Sequence, residues 1–230
     1  MIEINQARGL EAEPEVSEYI KSLPKNSIYY DLGACVGGFA LQALHNGLEV
    51  IAFEVESQNY NKLVENYQDN LDKWPKNHKF KSFQIGIADK ECEVDLRIGQ
   101  SGPGGHHRTL DLSTYCASED IIGDYKEKVK ADSLDNIIKK NNLPQPNYIK
   151  VDIDGSEYAF VIGAKKTLKK TRSIIIELYK DNKYYNMIIA ELTKLWFIET
   201  SRGKVIDHGG LCNIVFTNTK IKWRRKRKSK

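Results

Sequence analysis

The 230-residue chain, with 40% hydrophobic and 29% charged residues, is long enough to bury one sizeable core and has an ordinary globular composition. No window reaches the roughly 18 apolar residues of a membrane-spanning helix. The start, "MIEINQARGLEAEPEVSEYI", lacks the basic-then-apolar order of a secretory leader, so a cytoplasmic location is expected.

The formal charge of +4 is unevenly placed. The last eleven residues, "KIKWRRKRKSK", hold eight Lys or Arg, which leaves −4 on the rest of the chain. The four cysteines lie far apart with no C-x-x-C pair, which argues against a zinc knuckle or a disulfide framework.

In chain order, "PEVSEYIKSL" predicts an opening helix, "SIYYDL" a buried strand, and "GGFALQALHNG" a helix stopped at Gly47. "LEVIAFEV" predicts a second strand, "SQNYNKLVENYQDNL" a helix opened by Ser57, and "KFKSFQIGIA" a third strand. "ECEVDLRI" alternates and reads as an edge strand or half of a hairpin. A Gly-rich stretch follows, and the alternation resumes with helix "DSLDNIIKKNN", strand "NYIKVDI", helix "SEYAFVIGAKKTL" and strand "SIIIELY". After helix "DNKYYNMIIAELTKL", strands "WFIET" and "CNIVFT" have no helix between them and should pair antiparallel at the edge of the sheet.

This pattern predicts an α/β fold: a Rossmann-like, doubly wound, mostly parallel seven-stranded sheet ending in an antiparallel hairpin. We expect one domain over residues 1–219, with an N-terminal helix within 1–26, an irregular loop and candidate lid over 99–131, and a basic tail, expected to be disordered, at 220–230.

In such sheets ligands sit outside the carboxyl ends of the strands, at the point where strand order reverses. The first strand ends in "YYDLGACVGG". Gly33 and Gly38 match the outer positions of a dinucleotide-binding G-x-G-x-x-G, but Cys35 replaces the middle glycine, and no Gly-Lys-Ser/Thr phosphate loop is present. Asp31 beside this turn would repel phosphate and attract a cationic ligand. S-adenosylmethionine fits, because it carries an ammonium and a sulfonium together with a ribose diol. Glu54 stands 21 residues beyond Gly33, near the ~20 expected for an acid that holds a ribose.

The segments "YYDLGACVGGFALQAL", "VIAFEVESQNYNKLVENY", "VKADSLDNII", "YIKVDIDGSEYAFVIGAKKTL" and "IIIEL" together resemble the FkbM-type family of S-adenosylmethionine-dependent methyltransferases, from about Ile28 to Phe216. The resemblance implies a class I methyltransferase fold in which Asp31, Gly33, Ala34 and Gly37 cradle the methionine part of the cofactor. It further implies that Glu54 takes the ribose hydroxyls, that Gly86, Ile87 and Ala88 pass beside the adenine, and that Asp152 lies at the reacting centre. The chain departs from the family pattern at Cys35, Val36 and Val55, where Asn and, after the ribose acid, Pro are common.

Methyl transfer from a sulfonium asks mainly for in-line placement of the acceptor and a base for its proton. Asp152 is the first candidate base, followed by Asp154 and Glu157, whose crowding should raise at least one carboxyl pKa. His107 and its neighbour His106, in the Gly-rich loop, are rivals. The acceptor implied by the resemblance is a hydroxyl on a sugar or small natural product. Two alternatives compete: an RNA methyltransferase using the basic tail as an electrostatic arm, and a non-catalytic binding module. The first lacks a catalytic signature, because Glu177 and Asn213 stand where a Lys-Asp-Lys-Glu set needs its second lysine and its glutamate. Asp152 and Glu177, with Asn213, offer oxygens suited to magnesium, but no metal set is assigned.

Overall fold

The computed structural model describes residues 13–99, 104, 108–112, 125–205 and 210–221 of the chain. Seven strands form the main sheet: β1 (Ile28–Leu32), β2 (Glu49–Glu54), β3 (Phe80–Gln84), β8 (Tyr148–Val151), β9 (Ser173–Tyr179), β10 (Phe197–Arg202) and β11 (Leu211–Asn218). Their spatial order is β10-β11-β9-β8-β1-β2-β3. β3, β2, β1, β8 and β9 are parallel, whereas β11 runs antiparallel to both of its neighbours. The expected C-terminal hairpin is present, but its second strand is inserted between β9 and β10, leaving only β10 at the edge.

Helices cover both faces: α1 (Pro14–Ser22), α2 (Gly38–His45), α3 (Ser57–Gln68), α4 (Leu134–Lys140), α5 (Glu157–Gly163), α6 (Lys165–Leu168) and α7 (Tyr185–Lys194). Two-residue alternation assigns the strand side chains to two cores. Tyr30, Leu32, Ile51 and Phe53 pack with α4, α5 and α7 residues such as Ile137, Phe160 and Ile188. Tyr29, Val50 and Ala52 pack with α1 and α2 residues such as Ile20 and Leu41. Phe53 lies between Tyr30 (centroids 5.5 Å) and Phe83 (5.6 Å), contacts that add about 0.5–1.5 kcal/mol each beyond burial.

A second, four-stranded sheet has the order β4-β7-β5-β6, from β4 (Gly86–Ala88), β5 (Cys92–Ile98), β6 (Arg108–Leu110) and β7 (Tyr125–Ser133). The segment expected as one strand, "KFKSFQIGIA", is divided between the two sheets at Ile85. The stretch 99–131, expected to be irregular, contains β6 and most of β7, and β5 pairs with both. This sheet packs its apolar side, including Leu96, Leu110, Val129 and Ala131, against Ala159 of α5. The helix expected over "SEYAFVIGAKKTL" breaks at Ala164. Gly163 is needed just before that break, because a Cβ there would lie 2.4 Å from the Ala88 carbonyl oxygen. Among the described residues no helix is long and apolar enough to cross a membrane.

The chain runs outward from β1 through β2 to β3 and then returns to the other side of β1 as β8. Strand order therefore reverses between β1 and β8, and the cleft outside their carboxyl ends is where a ligand is expected.

Candidate active site

β1 delivers its chain into the turn Gly33–Gly37. Gly33 N–H and Ala34 N–H both donate to the Phe53 carbonyl, at 3.0 and 2.9 Å, which locks the turn onto the end of β2. Gly33 has φ +78°, and a Cβ on it would come within 1.7 Å of the Asp152 carbonyl oxygen. The glycine is therefore required by close packing against the end of β8. Cys35, at φ +51°, takes a left-handed conformation without being glycine. Burial pushes its thiol up to about 12.

That conformation aims the Cys35 N–H at Glu54 Oε2 (2.7 Å), while Glu56 N–H donates to Glu54 Oε1 (2.9 Å). Both oxygens of the predicted ribose acid are thus fixed by backbone donors, and each keeps a lone pair for a further donor. Burial raises the Glu54 carboxyl to about 7 against the pull of these two N–H groups and of Arg108. Gly86, Ile87 and Ala88 form the buried strand β4, joined to this corner by Ile85 N–H donating to the Glu54 carbonyl (3.1 Å). A Cβ on Gly86 would meet Leu110 at 2.9 Å, so here too glycine serves packing.

Asp31 is almost fully buried and lies directly opposite Lys150 in the β1–β8 register. Lys150 Nζ sits 3.5 Å from Asp31 Oδ1, 3.0 Å from Asp152 Oδ2 and 3.3 Å from the Gly33 carbonyl oxygen. The protein thus places a cation of its own beside Asp31. Burial raises the Asp31 carboxyl to about 6 despite Lys150. Burial also works against the Lys150 ammonium, but the carboxylates of Asp152, Asp31 and Glu13 outweigh it and hold the group above its ordinary range.

β8 ends in the turn Asp152–Ser156, where Asp154 (φ +45°) and Gly155 (φ +99°) are both left-handed. Carboxylate oxygens of Asp152, Asp154 and Glu177 lie within 4.8 Å of one another. Burial first, and then the Asp152 charge, push Glu177 well above the ordinary carboxylate range. Its cross-strand partner Asn213 donates to Glu13 Oε2 (3.1 Å) and Glu15 Oε1 (3.3 Å), bringing the start of α1 to the cleft. Glu13 is itself raised, by burial and by Asp152. Glu157 accepts the Gly155 N–H (3.1 Å), and burial, with Asp154 and Asp152 adding to it, raises it to about 7. The expected rise in carboxyl pKa is present, with burial as its largest cause.

Of the residues predicted for the site, Asp31, Gly33, Ala34, Gly37 and Glu54 stand at the carboxyl ends of β1 and β2 and in the turn after β1. Asp152 and Asp154 follow the carboxyl end of β8, next to β1, and Glu157 is buried at the start of α5. His106 and His107 lie outside the described residues, as does the tail from residue 222. Three residues escaped the sequence reading. Lys150 had a signal, a lysine two positions before Asp152 in an otherwise apolar strand, which puts both on one face. Glu13 and Arg108 had none.

Seven strands in this order, with acids at the ends of β1, β2 and β8, define a class I methyltransferase fold. In solved structures it is shared by a methyltransferase FkbM from Methylobacillus flagellatus KT (TM-score 0.59, 16% identity, 92% of this chain and 48% of that one). It is also shared by the magnesium protoporphyrin IX methyltransferase ChlM of Synechocystis PCC 6803, determined with bound SAM (TM-score 0.52, 10% identity, 90% and 77%). Residues 31–203 match the methyltransferase FkbM domain, and the chain belongs to that family. A curated relative is the hexuronic acid methyltransferase AglP of Haloferax volcanii, 22% identical over 178 residues. The alignment spans 77% of this chain and 66% of AglP, so the chain spans about two thirds of that relative and about half of the solved FkbM structure.

Proposed function

We propose that the chain is an S-adenosylmethionine-dependent methyltransferase acting on a hydroxyl of a sugar or a small sugar-like natural product. The observation that carries this reading is Glu54. It is buried at the carboxyl end of β2 with each oxygen fixed by one backbone N–H, which suits it to receive a pair of hydroxyl donors such as a ribose diol. Family membership and the sugar acid named for the Haloferax volcanii relative support the donor and the acceptor class. The turn from Asp31 to Gly37 would take the methionine part, and Gly86, Ile87 and Ala88 would flank the base.

When bound, the cofactor supplies a methyl group already activated on sulfonium. The chain's own residues then have to place an acceptor oxygen in line with it and take its proton. Asp152 and Asp154 are the groups we assign to that proton. Lys150 holds Asp152 in place at 3.0 Å, and Glu177, raised by burial, can carry a proton and donate a hydrogen bond to its neighbour. The Asp152 and Asp154 carboxylates favour neutral hydroxyl acceptors over acceptors that present a carboxylate to this corner.

The test is transfer of a labelled methyl group from S-adenosylmethionine to a panel of neutral sugars, the matching uronates, and RNA. Transfer to sugars that falls at least 100-fold in Asp152→Asn supports the reading. Transfer to RNA alone would overturn the acceptor class.

A further inference from the structure

β6 is only three residues long, yet it connects the two halves of the cleft. The Arg108 side chain is 6% exposed, and its Nε lies 3.4 Å from Glu56 Oε2, itself 3% exposed. Glu56 caps α3 by accepting from Gln58 N–H (3.1 Å) and Asn59 N–H (2.8 Å), and its own N–H fixes Glu54. On the other side, the Arg108 backbone N–H donates to Asp154 Oδ2 (2.9 Å), and Thr109 Oγ1 donates to the Asp154 carbonyl (2.7 Å). The start of α3 is held at two further points: Gly104, between β5 and β6, donates its N–H to Asn59 Oδ1 (2.9 Å), and the Ser57 hydroxyl bonds to Glu127 of β7.

Burying a guanidinium costs several kcal/mol unless its charge is used, and an apolar side chain would hold β6 in place without that cost. We propose that Arg108 is a positioning residue: through Glu56 it fixes the charge and place of Glu54, and through β6 it ties that corner to Asp154 of the acceptor turn. The proposal rests on the reading of Glu54 as the cofactor's ribose acid. Glu54 is faced by Glu56 from the loop before α3, by the Cys35 thiol from the β1–α2 turn, and by Arg108 from β6; only Arg108 is positive. Arg108 opposes the burial that drives Glu54 to about 7, so its loss should raise Glu54 further.

The experiment is calorimetric titration with S-adenosylhomocysteine between pH 6 and 9 for the wild type, Arg108→Gln and Arg108→Lys. The wild type should lose affinity below about pH 7, as Glu54 takes up a proton. In Arg108→Gln this fall-off should move up by about one pH unit or more, weakening binding severalfold at pH 7.5 and recovering most of it near pH 9. A purely structural role would leave the loss independent of pH. Arg108→Lys should keep the wild-type midpoint, and if the Gln variant does not fold, a displaced midpoint in the Lys variant overturns the proposal. Binding by Arg108→Gln equal to wild type at every pH would also overturn it, leaving the cofactor reading intact. No binding by the wild type would overturn both.

Discussion

Replacing Lys150 by Met tests how the cleft carries its charge. The methionine fits the same volume but leaves Asp31 and Asp152 facing each other without the ammonium that lies 3.5 and 3.0 Å from them. Even with Lys150 present, burial holds Asp31 at about 6 against an ordinary 3.8, which corresponds to roughly 3 kcal/mol of lost stability above pH 6. Breaking a buried pair by removing one partner costs about 3–5 kcal/mol. The sign of the pH dependence follows from the carboxyl. A folded-state pKa above the unfolded one gives stability that is present below 3.8 and lost as pH rises through the folded value, and in the variant that value moves higher. The deficit relative to wild type should therefore be largest above pH 7, at about 3 kcal/mol or more at pH 8. It should shrink to about 1 kcal/mol at pH 5.5, where Asp31 is protonated in the variant. Lys150, held above its ordinary range, stays charged at both pH values, so the change in the deficit reports the titration of Asp31. Urea denaturation at the two pH values, with the slope m checked for constancy, measures this. A deficit below 1 kcal/mol at pH 8, or one that does not change with pH, would refute the reasoning.

Gly33→Ala should be far more damaging than its size suggests. Its Cβ meets the Asp152 carbonyl oxygen at 1.7 Å, and the residue must hold φ +78°. The left-handed backbone costs about 1–2 kcal/mol and overpacking another 1–3, so the melting temperature should fall by roughly 10 °C; a fall of under 3 °C would contradict the packing role. Without ligand, the protein should become less stable as pH rises from about 4.5 to 7, because burial raises Glu54 and Glu157 from 4.5 to about 7 and Asp31 to about 6. Thermal unfolding should accordingly occur at a higher temperature at pH 6 than at pH 8, and Glu54→Gln should flatten that slope.

The parallel sheet and its cleft were legible because the signals are local. Apolar runs ending at Leu32, Glu54 and Val151 alternate with helical periodicity, and the acids stand at the strand ends where the switch-point rule looks for them. The second sheet was not legible. β6 is three residues long, and β7, "YKEKVKADS", alternates buried Val129 and Ala131 with exposed Lys128 and Lys130 too briefly for its pattern to be separated from a charged loop. The packing demands on Gly33 and Gly86 were hidden for a related reason. A glycine motif marks where backbone must come close to something, and the sequence does not show that Asp152 and Leu110 are among the close neighbours. The pairing of Asp31 with Lys150 was not legible because it is set by a register between two strands that the sequence does not display. Arg108 was invisible for the same reason. Its meaning comes from Glu56 and Asp154, which lie 52 and 46 residues away in the chain.

The most direct test of the central claim is calorimetric titration of the wild type and of Glu54→Ala with S-adenosylhomocysteine, with NAD as the control. The account predicts micromolar binding of S-adenosylhomocysteine to the wild type, no binding of NAD, and at least a tenfold loss in Glu54→Ala, the equivalent of about 1.4 kcal/mol. Equal affinity in the two proteins, or binding of NAD in preference to S-adenosylhomocysteine, would contradict it.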